Sequence, residues 1–228
     1  FLKRGKIIFN IHLIIGLIAA IPLIFMTLSA PFASYREEIK SAINKNFINL
    51  VPSEKENLSL NELLAKAKNE IQFDTLESLQ IGGANEAYRI SITKNKKQLN
   101  FFIDPRSGEV ISEDWGEKFR VITLSLHRNL GLALLDSKVP ANIGKQIVAI
   151  SSIIMALLAI SGLILYAPAI KRNFLNSLKI KPNAKGYACF YNLHTSLGTY
   201  VAILLVVMSL TGLYWSYGWV RRGEKNIF

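Results

Sequence analysis

Residues 7–35 read IIFNIHLIIGLIAAIPLIFMTLSAPFASY, an unbroken run with no Asp, Glu, Lys or Arg. About 20 apolar residues at a rise of about 1.5 Å each cross the hydrocarbon of a bilayer, so this run is long enough to span one as a helix. Lys3, Arg4 and Lys6 precede it, as they would in a signal peptide, but an h-region is only about 7–15 residues long. The run is read as a transmembrane helix at 7–35, with Pro22 expected to kink it and make room nearby.

Two more uncharged runs follow, Gln146–Ile170 and the longer Gly186–Val220. They place further spans at 143–169 and 187–220. Charge sets the orientation, because short cytoplasmic segments collect Lys and Arg. Lys3, Arg4 and Lys6 precede the first span, and Lys171, Arg172, Lys179, Lys181 and Lys185 fill the loop at 170–186; neither segment holds an acid. Pro31 to Lys145 carries 16 basic against 15 acidic residues. The N-terminus and the 170–186 loop are read as cytoplasmic and the region from 36 as external, with Arg221, Arg222 and Lys225 pulling weakly the other way. The net charge of +11 then describes topology rather than a nucleic-acid surface, and no nucleic-acid partner is expected.

The external region, 36–117, is predicted to begin with a helical stalk and loop and to contain a small folded module. Leu60, Leu63, Leu64, Ala67 and Ile71 fall at helical spacing after Ser59, a candidate N-cap. Strand-like runs at Leu76–Ile81, Ala87–Thr93 and Leu99–Ile103 are separated by turn residues, and Asp104–Val110 reads as a turn into a short strand. An interfacial helix at 118–135 is expected to lead into the second span. The fold class is a membrane all-α bundle of three transmembrane helices with an inserted small α+β domain.

All three histidines of the chain share one pattern, with glycine four positions on: His12/Gly16, His127/Gly131 and His194/Gly198. On a helix such pairs share a face. A glycine one turn from imidazole lets a flat, bulky group lie against the backbone while the histidine reaches its centre, the arrangement haem needs. Close helix packing would explain one such motif, but three motifs that use every histidine, two of them inside apolar runs, favour haem-iron ligation. One Cys and three His do not readily make a zinc tetrahedron, and Cys189 is read as an inert thiol.

Sliding the sequence along itself superposes His12 on His194, Gly16 on Gly198, Leu23 on Leu205 and Met26 on Met208, among others, all at one offset. The first and third spans are therefore read as duplicated parallel helices whose histidines clamp one b-type haem. His127 lies near the opposite end. It is left with three roles: ligand of a second haem, propionate contact or substrate contact. Arg128 beside it is a candidate partner for a propionate or an anionic siderophore, with snorkelling to lipid phosphate as the equal alternative. Tyr214, Trp215, Tyr217 and Trp219 read first as an interfacial aromatic belt.

The order of features resembles the PepSY-associated transmembrane proteins of bacterial inner membranes. These are a basic N-terminus, a His-x-x-x-Gly span, an external module ending in Asp104-Pro-Arg-Ser-Gly-Glu-Val110, His127-Arg-Asn-Leu-Gly131, a span with Ser161-Gly162-Leu163, and a span with His194, Gly198 and Ser209-Leu-Thr-Gly212. The resemblance implies a periplasmic PepSY domain at about 58–115. It also implies haem-dependent reduction of ferric siderophores or other Fe(III) chelates, with quinol or a cytoplasmic donor supplying electrons and homo-oligomers as a further expectation. Members commonly carry a fourth span and a longer external region after the third, so a second-haem ligand or part of the substrate site is expected to be absent here or to come from a partner. PepSY modules also imply a competing class, a membrane-tethered regulator or inhibitor of an extracytoplasmic peptidase without redox activity.

Overall fold

The computed structural model describes residues 2–135 and 141–217. They fall into two compact units, one formed by residues up to Ala30 and from Ser125 onward, the other by Pro31–Leu124.

The first unit is helical. Its apolar runs become α1 (Leu2–Ser34), α5 (Ala141–Arg172) and α7 (Tyr187–Ser216), with α6 (Phe174–Leu178) between the last two. Each long helix carries a stretch long and apolar enough to cross a membrane: Gly5–Ser34, Asn142–Arg172 and Tyr187–Tyr214. The expected third span runs on to 220, and its last residues, with Trp219, lie outside the described ones. Large side chains such as Ile18, Ile21, Leu157, Ile203 and Leu204 point outward, whereas most buried positions are small, among them Ala19, Ala149, Ser152, Ser196 and Ala202. That inversion suits helices that meet each other through small residues and meet lipid with their bulk. The helix of α1 continues through Pro22. At the loop end, the Tyr166 hydroxyl donates to Ser177 O at 2.9 Å, and Asn192 receives Lys181 N–H at 2.7 Å and donates to Lys179 O. These bonds tie the basic loop to the helices that flank it.

The second unit holds α2 (Arg36–Ile48), α3 (Leu60–Ile71), strands β1 (Thr75–Gln80), β2 (Tyr88–Lys94), β3 (Lys97–Ile103) and β4 (Val110–Glu113), and the start of α4 (Trp115–Asn129). Ser59 and Glu62 close a reciprocal capping box on α3, satisfying two otherwise orphaned amides. The strands form an antiparallel meander in the order β1-β2-β3-β4. Between β2 and β3 the tight turn Asn95–Lys96 has positive φ at both positions, which matches the right-handed twist of a hairpin. Alternation along β2 then separates two faces. Tyr88, Ile90 and Ile92 join Leu63, Ala67, Ile71, Phe73 and Ile103 in the core under α3. Arg89, Ser91, Gln98 and Asn100 on the other face line a polar recess of about 540 Å³ with Lys40, Glu117 and Arg120.

Asp114 joins these elements. Its carboxylate accepts from Asn44 Nδ2 at 2.7 Å, Glu117 N at 2.7 Å and Arg89 Nε at 2.6 Å, and it is 1% exposed. Glu117, one turn on, receives Lys40 and Arg120. The hydrogen bonds from Arg120 outweigh desolvation and, with Lys40, pull its carboxyl down to about 2. Gly116 permits the close approach of α2: a Cβ there would lie 2.7 Å from Asn44 Nδ2 and from Lys40 O. The helix expected at 118–135 therefore starts earlier, at Trp115, under the Asp114 cap. It stops at Asn129 because Leu130 and Gly131 take left-handed backbone angles.

Candidate functional site

Sequence periodicity puts His12 and Gly16 on one face of α1, and His194 and Gly198 on one face of α7. In the helical unit both faces open onto a single cavity of about 400 Å³. Three pairs related by the internal repeat line it: His12 with His194, Gly16 with Gly198, and Leu23 with Leu205. Residues early and late in both helices thus meet the same space in the same order, as parallel duplicated helices would. The remaining wall is mostly apolar, with Leu13, Leu17, Met155, Leu158 and Leu163, and its polar groups are Tyr166, Thr195 and Thr199.

The two imidazoles sit with ring centroids 6.3 Å apart and planes at 73°. His12 Nδ1 lies 2.9 Å from Ser161 Oγ on α5. Ser161 donates its own hydroxyl proton to Leu157 O at 2.7 Å, so its oxygen is left to accept from His12 Nδ1–H. The other ring nitrogen, Nε2, keeps its lone pair.

The glycines of the site have open space beside them. A Cβ on Gly198 would meet nothing within 4 Å, and one on Gly16 would meet only Leu158 Cδ2 at 3.9 Å. A methyl at Gly162 would instead touch His12 Cε1 at 3.4 Å. Close helix packing therefore does not require a glycine at either Gly16 or Gly198, both of which line the cavity.

His127 is not part of this cavity. It sits near the end of α4, half-buried, against a stretch of α1 about four turns beyond His12, roughly 21 Å along a helix. Its Nδ1 lies 3.0 Å from Met26 O and 3.2 Å from Ser29 Oγ. A carbonyl can only accept, so Nδ1 carries a proton, which in the neutral ring leaves the lone pair on Nε2. Gly131, the partner in the third His-x-x-x-Gly motif, has φ +77° and its N–H donates to Ser125 O at 3.0 Å. Glycine is needed there to end the helix. Arg128 is exposed. At the far end of α7 the Tyr217 hydroxyl donates to Gln146 Oε1 at 3.0 Å, and the lone thiol, Cys189, is free and half-buried.

In the sequence, Ser161 and Gly162 stand out only as part of a motif order, and Tyr166, Thr195 and Thr199 do not stand out at all. The available signal is that Ser161 and Ser29 are hydroxyls on otherwise apolar helices, but nothing along the chain pairs Ser161 with a histidine of the first span.

No curated protein matches the chain. A family model described as the PepSY-associated TM region matches residues 9–227. With three membrane-length helices, a small antiparallel sheet and a match over nearly the whole chain, the protein belongs to the PepSY-associated transmembrane family.

Proposed function

We propose that this chain is a haem b electron-transfer protein of the bacterial inner membrane, and that it reduces Fe(III) held by a siderophore or similar chelator on the periplasmic side. The observation that carries the reading is the His12/His194 pair facing one apolar cavity that Gly16 and Gly198 leave open.

The donor set suits haem. Two imidazoles would suit a metal that brings its remaining ligands with it. Metal–nitrogen bonds of about 2 Å from both rings to one ion are compatible with ring centroids 6.3 Å apart. Gly198 lines the cavity, and a methyl there would meet no protein atom within 4 Å.

His12 and His194 would hold the group, and Leu13, Leu17, Met155 and Leu158 would give it an apolar wall. Bound haem would supply a one-electron carrier. His127, with its free Nε2, is suited to ligate a second haem with a partner from outside the described residues, and Arg128 is suited to an anionic group beside it. One electron delivered from quinol or a cytoplasmic donor converts a chelated Fe(III) to Fe(II), which hard oxygen donors hold less tightly. No dinucleotide fingerprint follows a strand, so the donor is expected to come from a partner.

The purified protein should be red, with a Soret band that sharpens and shifts on dithionite, and should reoxidise when a ferric hydroxamate is added. His12→Ala and His194→Ala should each remove that pigment, while His127→Ala should retain it. A colourless preparation from haem-replete cells would sink the reading and leave the tethered peptidase regulator as the alternative.

A further inference from the structure

We infer that Ser161 is the positioning residue for His12: it holds the proton on Nδ1, aims Nε2 into the cavity and thereby sets the electron-donating strength of that ligand. The inference concerns the neighbour of a ligand and rests on the proposed function only for its redox consequence.

Three observations converge. The His12 Nδ1 to Ser161 Oγ distance is 2.9 Å. The Ser161 hydroxyl has carbonyls of its own helix as acceptors, Leu157 O at 2.7 Å and Leu158 O at 3.2 Å; with its proton placed there, the serine oxygen acts as acceptor toward the ring. Gly162, the next residue, leaves 3.4 Å between a hypothetical Cβ and His12 Cε1, the ring carbon between the two nitrogens. A methyl there would reach van der Waals contact with that carbon, and a larger side chain would crowd the ring edge that must stay in place for Nδ1 to reach serine. Ser161 and Gly162 thus form one cradle, a hydrogen bond on one side of Cε1 and clearance at Cε1 itself.

His127 shows the same logic with a different acceptor. Its Nδ1 meets Met26 O at 3.0 Å and Ser29 Oγ at 3.2 Å, and Ser29 likewise donates to Phe25 O at 2.6 Å. In each case a helical serine bonded back to its own turn offers a lone pair to an imidazole from another helix. A histidine whose Nδ1–H is bonded to an acceptor is a more basic ligand, and such partners tune metal affinity by about 10–100-fold. Greater basicity favours the oxidised, more positive metal. Losing the Ser161 bond should therefore raise the midpoint potential and weaken cofactor retention.

The test uses the full chain in detergent with 15N-histidine, which gives signals from only His12, His127 and His194. At about pH 8, above the ordinary imidazole range, haem-free protein should show His12 with Nδ1 protonated and Nε2 bare, and His127 the same, as an internal reference. Ser161→Ala should mix the tautomers of His12 and leave His127 unchanged, and Ser161→Thr, which keeps the hydroxyl, should restore the wild-type pattern. In haem-loaded protein Ser161→Ala should show a higher midpoint potential and roughly 10-fold weaker retention, with Ser161→Thr close to wild type. An Nε2-protonated His12 in the wild type, or a Ser161→Ala spectrum indistinguishable from it, overturns the inference. If the protein takes up no haem, the proposed function fails, and the tautomer measurement still decides the role of Ser161.

Discussion

Gly198 sits inside α7 although alanine would fit there and would favour the helix by about 0.8–1.0 kcal/mol. Gly198→Ala is accordingly expected to leave haem-free protein as stable or more so, whereas Gly198→Phe should fill the cavity and abolish pigment while helical circular dichroism persists. Loss of fold in both variants would show that the glycine serves packing instead. Gly144 provides the contrast: a Cβ there would collide with Asn129 O, so Gly144→Ala must push α5 away from the end of α4 and should cost about 1–3 kcal/mol. The sequence treats these glycines alike, because what stands opposite each belongs to another helix. It does separate His12 and His194 from His127, since the internal repeat pairs only the first two.

At the scale of elements, the most heavily bonded junction is the start of α4, where Lys40 of α2, Arg89 of β2 and Arg120 of α4 surround Glu117. A carboxyl held at about 2 in the folded state, below its value in an unfolded chain, contributes stability that is fully present above about pH 4.5. That contribution is lost as pH falls toward 2, so the denaturation midpoint of the sheet-containing unit should drop across that window. Glu117→Gln should flatten the drop and lower stability at neutral pH by about 1–3 kcal/mol; an unchanged acid profile would remove Glu117 as its cause. Ser59→Ala, which deletes the capping box of α3, should cost about 1 kcal/mol. The cap and the alternation of β2 are readable in the sequence because both depend on residues within a few positions. The Asp114 and Glu117 cluster is not, because it assembles residues from three elements around a carboxylate that, by sequence, is simply an acid after a strand.

For the whole molecule, the proposed topology places the loop between α5 and α7 in the cytoplasm and the sheet-containing unit in the periplasm. With Cys189 replaced by Ser, single cysteines at Pro182 and at Ser53 should label from opposite sides of the membrane, Ser53 from outside intact spheroplasts; labelling of both from one side would refute the arrangement. Three apolar runs, their flanking charges and the internal repeat were decided by the sequence alone, because membrane length, charge bias and self-similarity are properties of the chain read in order. The single cavity shared by His12 and His194, the Ser161 acceptor that selects a ring nitrogen, and the different duties of Gly198 and Gly131 were decided only by the tertiary structure. Hydrogen-bond direction and empty space are relations between helices distant in sequence, and no local pattern records them.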